Sequence, residues 1–259
     1  MTISIIGSGN TAIVLGKLLR SNGHEINEVA GRNKITVQEL ADELHAIAIT
    51  DLKRISKNSD LYIIAVRDDA IADVAAQINL NEKIVVHACG SVSINVLKNT
   101  SANYGVLYPL QSLRKELGYT PAIPFLIDGN NDPTKQTVFN LASSLSKNII
   151  YADDDKRLQY HLAAIIVSNF TNHLFALAKD YCDVNNIEFK LLLPLIEEVV
   201  NRLHVYAPAA MQTGPAIRGD ETTMQKHIAL LEKFPKLKNI YEVMSESIRN
   251  FTPNISANR

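Results

Sequence analysis

Gly7-Ser8-Gly9-Asn10-Thr11-Ala12 follows at once on the apolar run Ile3–Ile6 and leads into helix-type sequence. A Gly-x-Gly-x-x-Ala turn between a first strand and a first helix builds a cradle for a pyrophosphate. Gly7 permits the tight turn, Gly9 removes a side chain that would block the phosphates, and Ala12 keeps helix and strand close. Ser8, Asn10 and Thr11 complete the cradle, and the helix N-terminus adds amide N–H groups and partial positive charge. About twenty residues on, an Asp or Glu would bond the adenosine ribose of NAD. The chain there reads Ala30-Gly31-Arg32-Asn33. A guanidinium suits a 2′-phosphate and stacks on adenine. The expected cofactor is therefore NADP, with Gly31, Arg32 and Asn33 at its ribose end; the alternative for Arg32 is a solvated turn arginine.

Two further turns belong to the same crevice, because ligands of open α/β sheets bind at the C-terminal ends of the strands. The first is Ala65-Val66-Arg67-Asp68-Asp69. Val66 and Arg67 are cofactor candidates there, although Arg67 could face either the phosphates or solvent, while Asp68 or Asp69 is expected to cap the next helix. The second is His87-Ala88-Cys89-Gly90-Ser91. Its small residues leave room for a nicotinamide ring, and Ser91 offers a hydroxyl. Cys89 has no activating partner in the sequence and reads as a small packing residue rather than a nucleophile. His87 fits a hydrogen-bonded core position equally well.

Proton chemistry would have to come from farther along. On a long helical pattern, His161, Ile165, Ser168 and Asn172 share one face at helical spacing, and Leu162, Ile166, Asn169 and His173 form the adjacent stripe. Such polar groups on an apolar helix either face a wet cleft or close a hydrogen-bond network between helices. His161, Ser168 and Asn169 are the catalytic candidates, and among them only histidine titrates near neutrality. Asn172 is a substrate-binding candidate. So are Gln212 and Arg218 in the loop Gln212–Asp220, whose Gly and Pro fix the backbone and whose amides could receive an anion. The alternative for that loop is an ordinary interhelical connection with a surface arginine. Asp220 is expected to cap the helix that follows.

The elements that must position these groups fall into two patterns. Of 259 residues, 46% are hydrophobic and 20% charged, with a net charge of −1, so neither nucleic acid nor an anionic membrane is an evident partner. The two cysteines lack metal-ligand spacing, no metal is expected, and a reducing cytoplasm is the default compartment. No signal peptide is legible at the N-terminus, and no uninterrupted apolar stretch is read as membrane-spanning. Strand patterns at 3–6, 26–30, 46–49, 61–66, 84–87, 105–108, 125–127 and 148–151 alternate with helical ones at 12–21, 37–44, 69–77 and 134–145. That alternation predicts a mostly parallel sheet with crossover helices. After Tyr151 it stops. Helices are expected from the Asp153–Asp155 cap to about 183, at 187–206 with Pro194 as a kink, and at 221–232 and 235–250, before a frayed tail at 252–259. The fold class is an α/β Rossmann domain, residues 1–152, followed by an all-α domain, residues 153–259.

In their order along the chain these motifs resemble the pyrroline-5-carboxylate reductase and F420-dependent NADP oxidoreductase superfamily. The similarity is to its Rossmann-like branch with a DUF2520-type helical domain, akin to the 6-phosphogluconate dehydrogenase C-terminal domain. Further marks are Tyr108-Pro109-Leu110-Gln111-Ser112, His161-Leu162-Ala163-Ala164, Asn169–His173 and Gln212-Thr213-Gly214-Pro215. The resemblance implies NADP binding by the first half and a homodimer-forming second half. In the related β-hydroxyacid dehydrogenases this helix carries a catalytic lysine with an asparagine one turn later. Here the lysine position is Ile165 if Asn169 matches that asparagine, or Ser168 if Asn172 does. The lysine is absent, so that mechanism is not carried over. The expected function is hydride transfer between NADP(H) and a small carbonyl or imine substrate. The alternative is a non-catalytic NADP-binding sensor.

Overall fold

The computed structural model describes residues 1–252; most of the tail expected to fray, 253–259, lies outside the described residues. Two compact units are present, Met1–Asn169 and Phe170–Arg259. The first unit therefore includes the opening of the long helix that the sequence reading grouped with the second domain.

The first unit carries β1 (Thr2–Ile6), α1 (Asn10–Ser21), β2 (Glu25–Ala30), α2 (Lys34–Leu44), β3 (Ile47–Ile49), β4 (Leu61–Ile64), α3 (Ile71–Ala75), β5 (Asn81–His87), β6 (Ser101–Pro109), β7 (Phe125–Gly129), α4 (Asp132–Leu145), β8 (Ile149–Tyr151) and α5 (Asp154–Ala164). The eight strands form one sheet in the order β3-β2-β1-β4-β5-β6-β7-β8. All neighbours are parallel except β6 and β7, which pair antiparallel through Gly105↔Gly129 to Pro109↔Phe125. The order reverses between β1 and β4, the switch point where an open sheet leaves a crevice at its C-terminal edge. Two cores explain the continuous apolar strands. Ile3, Ile5, Leu61 and Ile63 enter one cluster with Leu15 and Leu40, while Ile6, Tyr62 and Ile64 enter another with Ile71 and Leu80. Strands covered on both faces need no polar alternation.

Caps agree with local chemistry. Asn131 accepts from the N–H of Thr134 at α4, and Asp153 accepts from that of Lys156 at α5. The helix expected at 69–77 is shorter: a 3-10 turn, Asp68–Ala70, leads into the five-residue α3. Neither Asp68 nor Asp69 caps it. Asp69 is paired with Arg67 and Asp68 accepts from Ser91, so both carboxylates are engaged elsewhere.

Beyond α5 the chain forms a π-helix, Ile165–Phe170, then α6 (Thr171–Val184), α7 (Leu193–Arg202), α8 (Pro215–Arg218), α9 (Glu221–Leu230) and α10 (Pro235–Asn250). The helix expected at 187–206 is a 3-10 turn, Phe189–Leu192, followed by α7, and Pro194 sits in the first turn of α7 rather than at a kink. There its missing N–H costs no hydrogen bond. Asp220 caps α9, accepting from Thr223 N–H at 3.0 Å and from the Thr223 hydroxyl at 2.7 Å. The helical run Asp154–Val184 is long and apolar enough to cross a membrane by length and composition, with a mean hydropathy of 1.2 over 18 residues. The run is not uninterrupted, since it contains Ser168, Asn169, Asn172 and His173.

Candidate functional site

The phosphate cradle is built as the glycines require. Gly7 has φ +134°, and a Cβ there would meet the Ala65 carbonyl oxygen at 2.2 Å, so only glycine lets β1 and β4 approach at this turn. Gly9 is the N-cap of α1 and has open space where its Cβ would stand. No side chain caps α1 and its first turn carries no acid. Its free amides and dipole therefore face outward for an anion. At the end of β2, Arg32 is exposed and makes no hydrogen bond or ion pair among the described residues. Asn33 is partly committed, since its side-chain oxygen accepts from Ile35 and Thr36 N–H at the start of α2. The Ser8 and Thr36 hydroxyls are 2.7 Å apart, joining the cradle to that turn. Val66 is half-buried after β4, whereas Arg67 is 84% exposed and held bidentately by Asp69, at 3.1 and 2.6 Å.

Beside the cradle, within the first unit, lies a cavity of about 590 Å³. Thr11 from α1 reaches it, as do Asp68, Cys89, Tyr108, Gln111 and Ser112 from the strand ends and His161, Ser168 and Asn169 from α5 and the π-helix. All three catalytic candidates thus line one wall. The α-helical periodicity had separated Ser168 from Asn169. Both lie in the π-helix Ile165–Phe170 and both line the cavity. Neither side chain makes a hydrogen bond among the described residues, and both reach the cavity. Asn172, Gln212 and Arg218 lie in the second unit, where Gln212 lines a separate cavity of about 450 Å³ with Pro208, Ile217 and Phe251.

His161 is held by Tyr108. The phenol oxygen is 2.9 Å from Nδ1, and the rings meet edge to face at 71°. Gly90 makes this possible, since a Cβ there would lie 2.8 Å from both His161 Nδ1 and Tyr108 Cζ. Burial pushes the Tyr108 phenol up to about 12, helped by the neighbouring Cys89 and Asp68. Ser91 donates to Asp68 at 2.6 Å, so its hydroxyl is oriented away from a free donor role. Burial raises the Asp68 carboxyl, but contacts with Cys89 and Ser91 and the nearby His161 and His87 outweigh it and hold the group below its ordinary value. Burial also pushes the Cys89 thiol up, which makes it a poor nucleophile. His87 is fully buried and accepts at Nδ1 from Cys89 N–H at 3.2 Å. Burial, then the Arg157 charge, push His87 down to about 4. It is the core residue of the two readings, and cavity proton chemistry rests on His161.

Sequence comparison fits this geometry. Residues 2–89 match the family described as NADP oxidoreductase, coenzyme F420-dependent, and residues 123–248 match the domain of unknown function DUF2520. A Bacteroides fragilis protein assigned as an NADP oxidoreductase is 35% identical, with a TM-score of 0.91, over 96% of this chain and 98% of that one. The chain belongs to this NADP oxidoreductase family. An imine reductase from Myxococcus stipitatus in complex with NADP+ shares the fold, with a TM-score of 0.65 and 17% identity over 96% of this chain and 93% of that one. A glycerol-3-phosphate dehydrogenase [NAD(P)+] from Limosilactobacillus reuteri is 27% identical over 118 residues, 38% of this chain, and the match spans 35% of its own length.

The family's cofactor is NADP, and the residues present fit it: an uncapped helix N-terminus over Gly9 for the pyrophosphate and an unpaired Arg32 for the extra phosphate. Sequence reading missed Tyr108 and Asp68 as members of the site. Tyr108 stands at the C-terminal end of β6 within the motif Tyr108–Ser112, and that position was the available signal.

Proposed function

We propose that the protein is an NADP-dependent oxidoreductase that reduces a small, uncharged or cationic carbonyl or imine compound. The observation that carries this reading is the His161–Tyr108 pair standing in a cavity that also reaches Thr11 of the phosphate cradle. Gly7 to Ala12, Gly31, Arg32, Asn33 and Val66 would hold the cofactor, which supplies hydride. His161 would donate the proton that the reduced oxygen or nitrogen takes up, while Ser168 and Asn169 would orient the reacting group by hydrogen bonds. Asn172, Gln212 and Arg218 remain substrate-binding candidates of the second unit.

Charge narrows the substrate. Asp68 is the carboxylate on the cavity wall, and none of the described lining residues is Lys or Arg. A phosphate or carboxylate in such a site would lose hydration without a cationic partner, whereas a protonated imine would gain one. The reading is tested by following NADPH oxidation against 2-methyl-1-pyrroline, short aldehydes, 2-oxo acids and dihydroxyacetone phosphate. Turnover confined to the uncharged or cationic compounds is expected. Tight NADPH binding with no turnover of any class would favour the non-catalytic sensor, and absence of NADPH binding at high micromolar concentration would end both readings.

We also propose a homodimer formed through the helical half, and a cytoplasmic location. The support for the location is that Cys89 and Cys182 are both free. The support for the dimer is the apolar surface of the second unit, argued at its own scale below.

A further inference from the structure

We propose that Tyr108 is a positioning residue that locks His161 in a single tautomer, so that the nitrogen left for a substrate in the cavity is Nε2 and carries the proton. This rests on His161 being the proton donor of the proposed reaction. The geometry supplies the lock. Tyr108 Oη is 2.9 Å from His161 Nδ1, and the edge-to-face ring contact sets the imidazole plane. A phenol held up to about 12 stays protonated at neutral pH and has a hydrogen to give. With the phenol donating to Nδ1, neutral His161 carries its proton on Nε2. Nε2 makes no hydrogen bond among the described residues and is not among the buried polar atoms left without a partner. When the ring is doubly protonated the same phenol turns and accepts from Nδ1–H, so the pair holds its geometry in both states.

The proton step then balances without another group. For a carbonyl or an unprotonated imine, the Nε2–H bond breaks as the oxygen or nitrogen gains that proton and the carbon gains hydride; a substrate that arrives as a protonated imine takes hydride alone. The electron pair stays on Nε2, which recovers a proton from water. The charged and titratable groups around the pair are Asp68 beyond β4, His87 and Cys89 at the end of β5, and Asp154 and Arg157 on α5. His161 favours the ionised form of Asp68, and Asp68, Cys89 and Arg157 act on Tyr108. Arg157 is buried and bonded to Asp154 at 2.7 Å.

The test needs no substrate. Long-range 1H–15N correlation spectra of uniformly 15N-labelled protein, with the His161 signals identified by their loss in His161→Gln, read both ring nitrogens directly. In spectra where the ring is neutral, wild type should show a protonated Nε2 and an acceptor-type Nδ1 with no averaging. Tyr108→Phe should move Nδ1 toward the averaged position of a ring in tautomer exchange. A wild-type Nδ1–H tautomer, an averaged wild-type ring, or nitrogen shifts indifferent to Tyr108→Phe would each overturn the proposal. If Tyr108→Phe does not fold, the wild-type spectrum decides alone. Where the variant folds and 2-methyl-1-pyrroline is turned over, kcat should fall by about 10- to 100-fold with NADPH affinity unchanged; an unchanged kcat would also overturn it. Failure to turn over any probe would count against the reduction reading while leaving the tautomer result intact.

Discussion

At the scale of single residues, cofactor choice turns on Arg32. It stands where a carboxylate would bond a ribose, it is unpaired, and the first turn of the adjoining helix carries no acid. Hydrogen bonds to charged groups contribute about 1.5–3 kcal/mol each, so Arg32→Ala should weaken NADPH binding by about 10- to 100-fold. NADH lacks the extra phosphate, and its affinity should change by no more than about twofold. Calorimetric titration of both nucleotides checks this, and equal losses would reassign Arg32 to a structural role. This end of the site was legible because the fingerprint and Arg32 are local features, read from spacing within one strand–turn–helix unit. The proton donor's partner was not legible in the same way. Tyr108 and His161 are 53 residues apart and meet only because β6 and α5 both end at the cavity and Gly90 leaves room between them.

At the scale of elements, patterning located all eight strands, the central ones because a twice-covered strand is a continuous apolar run. It failed where backbone hydrogen bonding departs from the standard helix. The π-helix Ile165–Phe170, which carries Ser168 and Asn169, has no composition signal. The end of β5 carries a different consequence, for stability. Burial and then Arg157 depress His87 to about 4, against an ordinary value of 6.5. The unfolded chain takes up a proton at this site between those two values while the folded protein does not. The stability associated with neutral His87 is thus full above pH 6.5 and is lost as pH falls toward 4. Between pH 7 and 4.5 the loss from this one group should be about 2–3 kcal/mol. Urea unfolding at both pH values checks it. His87→Asn keeps an acceptor for the Cys89 amide but cannot titrate, so its stability should fall less over the same interval. Identical pH slopes for the two proteins would mean that His87 is not the acid-sensitive group.

At the scale of the whole molecule, the second unit is the part that does not close on itself. Its buried residues are few among those described: Cys182, Ala216, Met224, Leu231 and Ser245. Against them stand Leu191, Leu195, Val199 and Leu203, spaced by four and 74%, 62%, 49% and 55% exposed. A continuous apolar stripe along α7 and the turns at its ends is more than isolated surface residues explain. Hydrocarbon is a poor candidate for covering the apolar run Asp154–Val184, because Ser168, Asn169, Asn172 and His173 would enter it unpaired. A second copy satisfies both requirements, since a twofold interface buries the stripe and leaves polar residues in water or in the cavity. The protein should therefore sediment as a dimer at micromolar concentration. Val199→Glu would place a charge in the middle of the stripe and should raise the dimer dissociation constant at least about tenfold, since burial without a partner costs more than 1.4 kcal/mol. A wild-type monomer at that concentration, or a Val199→Glu protein as dimeric as wild type, would move the partner surface elsewhere. NADPH affinity of the variant separates the two units: the phosphate cradle lies wholly in Met1–Asn169, so binding should survive the loss of the dimer.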